Sequence, residues 1–293
     1  MSTAPHPEYQ HMVLKADDQQ GTYVSLTLPG IAYGDFDRHR QLSLEKISKL
    51  FESARVLAWQ KKDFINWQDI RKRHNLGLFL LGINYDISPK LYRQFPVGIA
   101  QPLECRTGLD SVGGKSLVLR STCLDAQTNQ VLAEAKLVMV SVNLTTRKSV
   151  ALPKEEFSHL SWSQQSTSKL TMLKPAKTPP DAFHKEIIVV PSNIDHNGHV
   201  NQSIYVRFCT DVAVLAQRAQ KLKYKFTKYI DEYKVKSMQC LYLSESDLDD
   251  KLVVYVWDES NSGNVHFDIE NNTKGKRSFH CCMEFYSADK AKL

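Results

Sequence analysis

The sequence has little that would indicate a membrane, metal or nucleic-acid partner. No window approaches the roughly 18 unbroken apolar residues of a membrane helix. The six cysteines lack metal-ligand spacing, so we expect reduced thiols in an intracellular protein and no cofactor. The first residues lack the basic-then-apolar order of a secretory signal. A formal net charge of +6 permits an anionic partner, but no nucleic-acid motif accompanies it.

The last three residues match the pattern of a targeting signal. Ala291, Lys292 and Leu293 form a variant of the peroxisomal Ser-Lys-Leu signal, and Lys290 precedes them. An import receptor reads such a signal through its side chains and free carboxylate. We therefore expect a peroxisomal protein, with a plain cytoplasmic C-terminus as the alternative.

The same order of predicted strands and helices occurs twice in the chain. Alternation over 21–28 predicts a strand, and helical spacing over 42–60 predicts a helix with Ser43 as its N-cap. Four strand-like runs follow, separated by turn residues. After a segment rich in Ser, Thr, Lys and Pro at 161–180, a strand at 183–191 and a helix at 201–220 restart the order. The pattern is α+β.

The two halves superpose without a gap. Placing Asp37 on Asp195 puts Leu42 on Val200, and the apolar positions of both helices then coincide. We interpret this as an internal duplication. The predicted repeats span 15–160 and 181–287, with a linker at 161–180 and a tail at 288–293.

The entry to the second helix carries a motif. A strand, the string Asp-x-x-Gly-His-Val-Asn and a long helix with an early Tyr resemble the hotdog-fold thioesterases of the 4-hydroxybenzoyl-CoA and acyl-acyl-carrier-protein types. Plant acyl-carrier-protein thioesterases have a related string that Asn197 also fits. The matching residues are Asp195, Asn197, Gly198, His199, Val200, Asn201 and Tyr205.

The resemblance implies a fold and an activity. We expect two tandem hotdog units, each a long helix wrapped by an antiparallel β-sheet, packed as a pseudo-dimer. The expected reaction is hydrolysis of acyl thioesters, acyl-CoA above all, to free fatty acid and CoA. The first repeat departs from the motif, since it keeps Asp37 but has Arg40, Gln41 and Ser43 in place of Gly, His and Asn. The plant enzymes also use a downstream Glu, and the sequence alone does not align Glu245 with it.

The motif residues suit thioester hydrolysis. Asp195 would activate water as a general base or attack the carbonyl itself, with Asn197, His199 and Asn201 orienting the reactants. The start of the helix would supply N–H groups and a positive dipole end for the oxyanion. Structural alternatives stand beside these roles: Asp195 as a turn residue, His199 as a hydrogen-bonding residue and Asn201 as an N-cap.

Substrate contacts are predicted around the motif and after the helix. Gly198 would admit a close approach of the backbone to the thioester, while Val200, Tyr205 and Asp37 would contact the substrate. Tyr205 in the core and Asp37 as a remnant are the alternatives. Lysines follow the helix, and coenzyme A phosphates would suit them, although a solvated surface explains them too. The lysines at issue are Lys221 and Lys223.

Other functions stay open. A non-catalytic acyl-CoA-binding protein is one, because the first repeat has lost the motif. A 2-enoyl-CoA hydratase is another, but that family places His five residues after Asp, and His199 lies four after Asp195. A metal pair of His196 and His199 lacks a third ligand at suitable spacing. Association of fused pairs into a homo-oligomer is also left open.

Overall fold

The computed structural model describes residues 12–17, 21–28, 33–92, 102–160, 172–224 and 226–286. The predicted C-terminal address lies outside them. The helices are α1 (Leu44–Ala58), α2 (Trp67–His74) and α3 (Gln202–Arg218). The strands are β1 (Met12–Asp17), β2 (Gly21–Leu28), β3 (Leu76–Ile87), β4 (Leu103–Val112), β5 (Ser116–Asp125), β6 (Val131–Asn143), β7 (Phe183–Ile188), β8 (Val235–Tyr242), β9 (Lys251–Asp258), β10 (Val265–Asn271) and β11 (Lys276–Phe285).

The chain divides into two compact units. The β5 unit comprises Met1–Ala32, Leu50–Leu80 and Gly98–Leu170. The α3 unit comprises Tyr33–Lys49, Leu81–Val97 and Thr171–Leu293. These units follow spatial contacts, so residues 33–49 of the first sequence repeat fall in the α3 unit. The bounds of the sequence repeats stay a prediction.

The β5 unit is built on an antiparallel sheet with the strand order β1-β2-β4-β5-β6-β3. Leu119 faces Leu109 on β4 and Leu137 on β6, and all three are buried. The predicted turns are present. Gly113 N–H donates to the Ser116 carbonyl (2.7 Å), and Asp125 Oδ1 accepts the backbone N–H of the residue two positions on (2.8 Å). These turns fix which faces of β4, β5 and β6 are buried.

Two elements of the β5 unit were not predicted. Helix α2 buries a single residue, Ile70, so its eight residues carry no apolar periodicity to detect. Its C-cap, Asn75, adopts φ 52°, in the left-handed region that favours Asn or Gly there. Strand β1 has six residues and pairs with β2, too short a run for a firm sequence signal.

The α3 unit has the strand order β8-β11-β10-β9-β7, and Gly82–Asp86 of β3 pair with β8. Helix α3 buries one stripe of side chains against this unit, as its periodicity predicts. Each large apolar side chain buried there stabilises the fold by about 1.5–3 kcal/mol. The stripe includes Ile204, Tyr205, Phe208, Val212 and Ala216.

The described end of the predicted linker, 172–180, is tied to the sheet of the α3 unit. Asp268 and His280 are fully buried and hydrogen-bonded to each other (2.7 Å). The Thr178 hydroxyl donates to Asp268, and the Ala176 N–H donates to His280 Nε2 (3.4 Å). The segment has no regular secondary structure, and these side chains hold it.

Candidate active site

The motif forms a tight loop, 194–201, between a short 3-10 turn and α3. Ile194 and Val200 form an isolated antiparallel bridge that closes the loop. Inside it, Asp195 N–H donates to the His199 carbonyl and Gly198 N–H donates to the Asp195 carbonyl, both at 3.0 Å. Gly198 has φ +87°, a left-handed conformation that glycine adopts without a steric cost. The loop therefore presents Asp195 and His199 from a defined backbone.

Asp195 is held by Asn197. Its Oδ1 accepts the Asn197 backbone N–H at 2.8 Å, and its Oδ2 accepts the Asn197 side-chain amide at 3.3 Å. The Asp195 side chain is 12% exposed. Asn197 therefore fixes the direction of this carboxylate, while His196 next to it is exposed.

His199 lies between two carboxylates. Its Nδ1 is 3.9 Å from Asp195 Oδ1, and its Nε2 is 3.8 Å from Glu245 Oε1. Both distances exceed a direct hydrogen bond but lie within ion-pair range when His199 is protonated. Catalytic hydrogen bonds are often long before substrate binds. The side chains of His199 and Glu245 are 30% and 37% exposed, so both are open to solvent.

Glu245, which the sequence alone does not align with the motif, lies beside His199 in the structure. It follows the end of β8, and the backbone pairs its neighbour with the motif: Val200 N–H donates to the Ser246 carbonyl at 2.8 Å. This contact joins positions far apart in the chain, so periodicity or spacing could not reveal it. The available signal was an acidic residue just beyond a predicted strand.

A polar network holds the segment that carries Glu245. Lys274 Nζ donates to the Glu245 carbonyl (3.2 Å) and to Asp247 Oδ2 (2.6 Å). Buried Asn271 donates to Asp250 Oδ2 at 2.6 Å. Burial raises the pKa of Asp250, but backbone and side-chain hydrogen bonds and Lys274 outweigh it and hold that pKa below its usual value.

The side chain of Asn201 caps the start of α3. Asn201 Oδ1 accepts the Ser203 N–H (2.9 Å) and the Ser203 hydroxyl (2.7 Å), while Ile204 N–H donates to the Asn201 carbonyl (2.9 Å). Asn201 is thus an N-cap, one of its two predicted roles, and its catalytic role stays a prediction. The backbone N–H groups of Ser203 and Ile204, which we expected among the donors to an oxyanion, therefore donate to Asn201.

Tyr205 and Val200 are core residues in this structure, each 3% exposed. The Tyr205 ring stacks on Phe279 (centroids 5.3 Å apart) and meets Tyr242 edge-on. Burial raises the pKa of the Tyr205 hydroxyl to about 12. Substrate contact by either residue stays a prediction.

The predicted phosphate-binding lysines lie in the turn after α3. Lys223 forms an ion pair with Asp181 (3.1 Å), and both side chains are well exposed. Lys221 is exposed as well. Their binding of coenzyme A stays a prediction.

The first repeat has a counterpart loop, 36–43, with matching local geometry. Phe36 and Leu42 form the closing bridge, and Asp37 N–H donates to the Gln41 carbonyl (2.8 Å). Arg40 adopts φ 61°, the left-handed position that Gly198 has in the motif loop. Ser43 caps α1 by accepting the Lys46 N–H (3.3 Å), as predicted.

The counterpart loop uses its polar groups differently. Asp37 Oδ1 accepts two backbone N–H groups, from His39 (2.8 Å) and Gln41 (2.9 Å). Asp37 is therefore a turn-stabilising residue there. In the motif loop the equivalent of the Gln41 N–H is the His199 N–H, for which no hydrogen bond is found within the described residues.

The described residues contain neither a candidate membrane-spanning helix nor a candidate metal cluster. No helix among them combines the length and apolar character needed to cross a membrane. In the same residues, no group of three or more His, Cys, Asp or Glu side chains is placed to hold a metal ion.

No protein-family profile matches the chain, and no curated protein matches its sequence. Solved structures do share its fold. An acyl-ACP thioesterase from Bacteroides thetaiotaomicron superposes with a TM-score of 0.66 and 15% identity, over 90% of this chain and 98% of its own. The 12:0-ACP thioesterase from Umbellularia californica gives 0.67 and 14%, over 90% and 97%.

A protein from Lactobacillus plantarum described as an oleoyl thioesterase gives a TM-score of 0.69 and 15% identity, over 90% of this chain and 96% of its own. At such identities the likeness establishes the fold. The similarity extends over nearly the whole of each chain. The chain therefore has the hotdog fold that these thioesterases share, which confirms the resemblance at the level of fold.

Proposed function

We propose that this protein hydrolyses acyl thioesters, with acyl-CoA as its substrate. The observation that carries the proposal is the position of His199, 3.9 Å from Asp195 and 3.8 Å from Glu245, on the loop that enters α3. Carboxylates and an imidazole are the groups that move protons in acyl transfer. The descriptions of proteins that share the fold support this chemistry.

The proposed reaction is an attack on the acyl carbon. With Asp195 or Glu245 as general base, directly or through His199, water loses a proton and its oxygen bonds to that carbon. The C–S bond then breaks, and the CoA sulfur takes a proton. Asp195 acting as a nucleophile is the second route, since its carboxylate is oriented by Asn197.

The oxyanion needs hydrogen-bond donors. The backbone N–H of His199 is our candidate, because no hydrogen bond engages it within the described residues. Loss of one oxyanion donor typically costs about 10²–10³ in rate. Gly198 leaves the approach open, since a Cβ built at this position meets no atom within 4 Å apart from its chain neighbours Asn197 and His199.

The test is release of free thiol from a panel of acyl-CoAs, followed with a thiol reagent. Turnover by the wild-type chain at one or more chain lengths supports the proposal. Folded protein that releases no thiol at any chain length contradicts it. Binding of acyl-CoA without release would favour the non-catalytic alternative, and loss of enoyl absorbance from a 2-enoyl-CoA would favour the hydratase.

The carrier is part of the proposal. The three proteins that share the fold include acyl-ACP thioesterases, so the same acyl group should be offered on CoA and on acyl-carrier protein. We expect a higher kcat/KM with CoA, because the lysines after α3 suit its phosphates. A higher value with acyl-carrier protein contradicts this choice.

Two finer points remain proposals from the sequence. We propose a peroxisomal location through Ala291, Lys292 and Leu293, tested by imaging a chain tagged at its N-terminus with and without these three residues. Identical distributions contradict it. We also keep the pseudo-dimer packing of the repeats, which an experimental structure would test.

A further inference from the structure

The α3 unit contains a cavity of about 570 Å³ beside the counterpart loop 36–43. This volume falls within the range of about 300–1,000 Å³ typical of small-molecule sites. Asp195, His199 and Glu245 are not part of its lining. The cavity is lined by Asp37, Arg38, Gln41, Leu42, Ser43, Leu44, Glu45, Tyr92, Arg207, Thr210, Asp211, Ala213, Val214, Leu215, Ile230, Asp231, Tyr233, Val235, Phe267, Met283 and Phe285.

Part of the lining is apolar and buried. Phe267, Met283 and Val235 are 0–4% exposed and come from strands of the sheet. Val214 and Leu215 of α3 also contribute, and Leu215 is 40% exposed although it is apolar. An alkyl chain placed against these side chains would remove apolar surface from water.

The charged part of the lining is acidic. Four carboxylates face two guanidinium groups. Arg38 is bound to Asp231 at 2.7 Å, where His39 also reaches the carboxylate at 2.9 Å. Arg207 lies 3.8 Å from Glu45, which Lys49 also contacts at 2.9 Å. Both guanidinium groups therefore already face carboxylates.

Asp211 is the carboxylate left over. It is exposed, and among the described residues it forms no ion pair. Partial desolvation raises the pKa of its carboxyl, Arg207 opposes the rise, and Glu45 adds to it. Asp37 adds a further charge, since the two backbone N–H groups that it accepts carry none. This lining repels anions such as carboxylates and CoA phosphates.

We propose that this cavity binds an amphiphile with an alkyl chain and a positively charged head group. The chain lies against Phe267 and Met283, and the ammonium lies at Asp211. The loop beside it has Gln41 where the motif loop has His199. The proposal does not depend on the thioesterase activity.

The test is calorimetric binding of three eight-carbon probes to the full chain: octyltrimethylammonium, octanol and octanoate. We expect the cation to bind most tightly. Octanoate should bind at least about tenfold more weakly than the cation, because the Asp211 carboxylate attracts the cation and repels the anion. Octanoate binding as tightly as the cation overturns the proposal, and so does no binding of the cation.

Variants locate the site. Asp211→Asn should weaken the cation about two- to fivefold, the usual effect of an exposed ion pair, and leave octanol unchanged, since one charge is lost at constant shape. Asp63→Asn removes an equal charge from an exposed turn of the β5 unit and should change neither. Val214→Phe should weaken the cation and octanol together. Equal effects of the two Asp variants, or no effect of Val214→Phe in folded protein, overturn the proposal.

Discussion

Loops 36–43 and 194–201 share a backbone and differ in their side chains. Each closes with a bridge, carries an Asp at the second position, has a left-handed fifth residue and ends on an N-cap. A helix entry of this shape therefore needs no glycine at its fifth position and no histidine at its sixth, where loop 36–43 has Arg40 and Gln41. Arg40 occupies the left-handed position at φ 61°, where the motif loop has Gly198 at φ +87°.

The difference directs attention to what the motif loop adds. Apart from the chain neighbours Asn197 and His199, no atom lies within 4 Å of a Cβ built at Gly198. His199 faces Asp195 and Glu245, while its counterpart Gln41 lies 3.4 Å from the Glu232 carbonyl. The left-handed φ of +87° accounts for Gly198, while the proposed catalytic role of His199 is supported by its position between two carboxylates.

The largest effect is expected when the residues at the histidine position are exchanged between the two loops. His199→Gln should lower kcat by about 10²–10⁴, the usual contribution of an acid–base group. Gln41→His should leave kcat within about twofold, because Asp37, the counterpart of Asp195, is already engaged by two backbone N–H groups there. Steady-state thiol release measures both. Equal kcat values for His199→Gln and wild type would remove His199 from the chemistry.

The second-largest effect is expected at Glu245, which lies beside the motif loop. Glu245→Gln should lower kcat by about 10²-fold if its carboxylate moves a proton through His199. Glu232→Gln, beside the counterpart loop, is the matched control and should retain the wild-type rate. Circular dichroism checks that both variants fold. A Glu245→Gln variant with full activity would limit the site to Asp195 and His199.

The glycine position should show in binding and stability. Gly198→Arg, which copies Arg40, should raise KM because its side chain fills the open space beside His199. It should also destabilise the fold by about 1–2 kcal/mol, the cost of a left-handed non-glycine residue. Arg40→Gly is expected to leave KM unchanged. Thermal melts and Michaelis curves test this, and an unchanged KM for Gly198→Arg would contradict it.

The smallest effect is expected at Asp231, which binds Arg38 and His39 of the counterpart loop. Burial raises the pKa of Asp231, but hydrogen bonds from Arg38 and His39 outweigh it and hold that pKa below its usual value. A lowered folded-state pKa stabilises the fold above the unfolded value, and the gain is lost as pH falls through the folded one.

Asp231→Asn should thus lower stability at pH 7 by less than about 1 kcal/mol, as for a partly exposed ion pair. The gap to wild type should close as the pH falls below about 4, near the ordinary pKa of Asp. Melting temperatures at several pH values give the comparison. A gap that is constant with pH would show that Asp231 acts by packing.

Local patterns were enough to predict much of this structure. The alternation of 21–28 and the apolar spacing of 202–218 come from residues close in the chain, and both elements are present. The gapless superposition of Asp37 on Asp195 anticipated two loops with matching hydrogen bonds. These features are encoded by neighbouring residues.

The parts that sequence could not supply depend on distant contacts. Glu245 reaches His199 because Val200 pairs with Ser246, and no spacing rule links those positions. The cavity beside loop 36–43 likewise needs side chains from α1, α3 and three strands at once. Helix α2 escaped prediction because Ile70 alone is buried.

The central claim is that the two loops differ in reactivity and that the motif loop carries it. The most direct measurement is kcat/KM for acyl-CoA hydrolysis by Asp195→Asn beside Asp37→Asn, with folding checked by circular dichroism. We expect a loss of about 10²-fold or more for Asp195→Asn and near wild-type activity for Asp37→Asn. The reverse pattern, or equal losses, would contradict it.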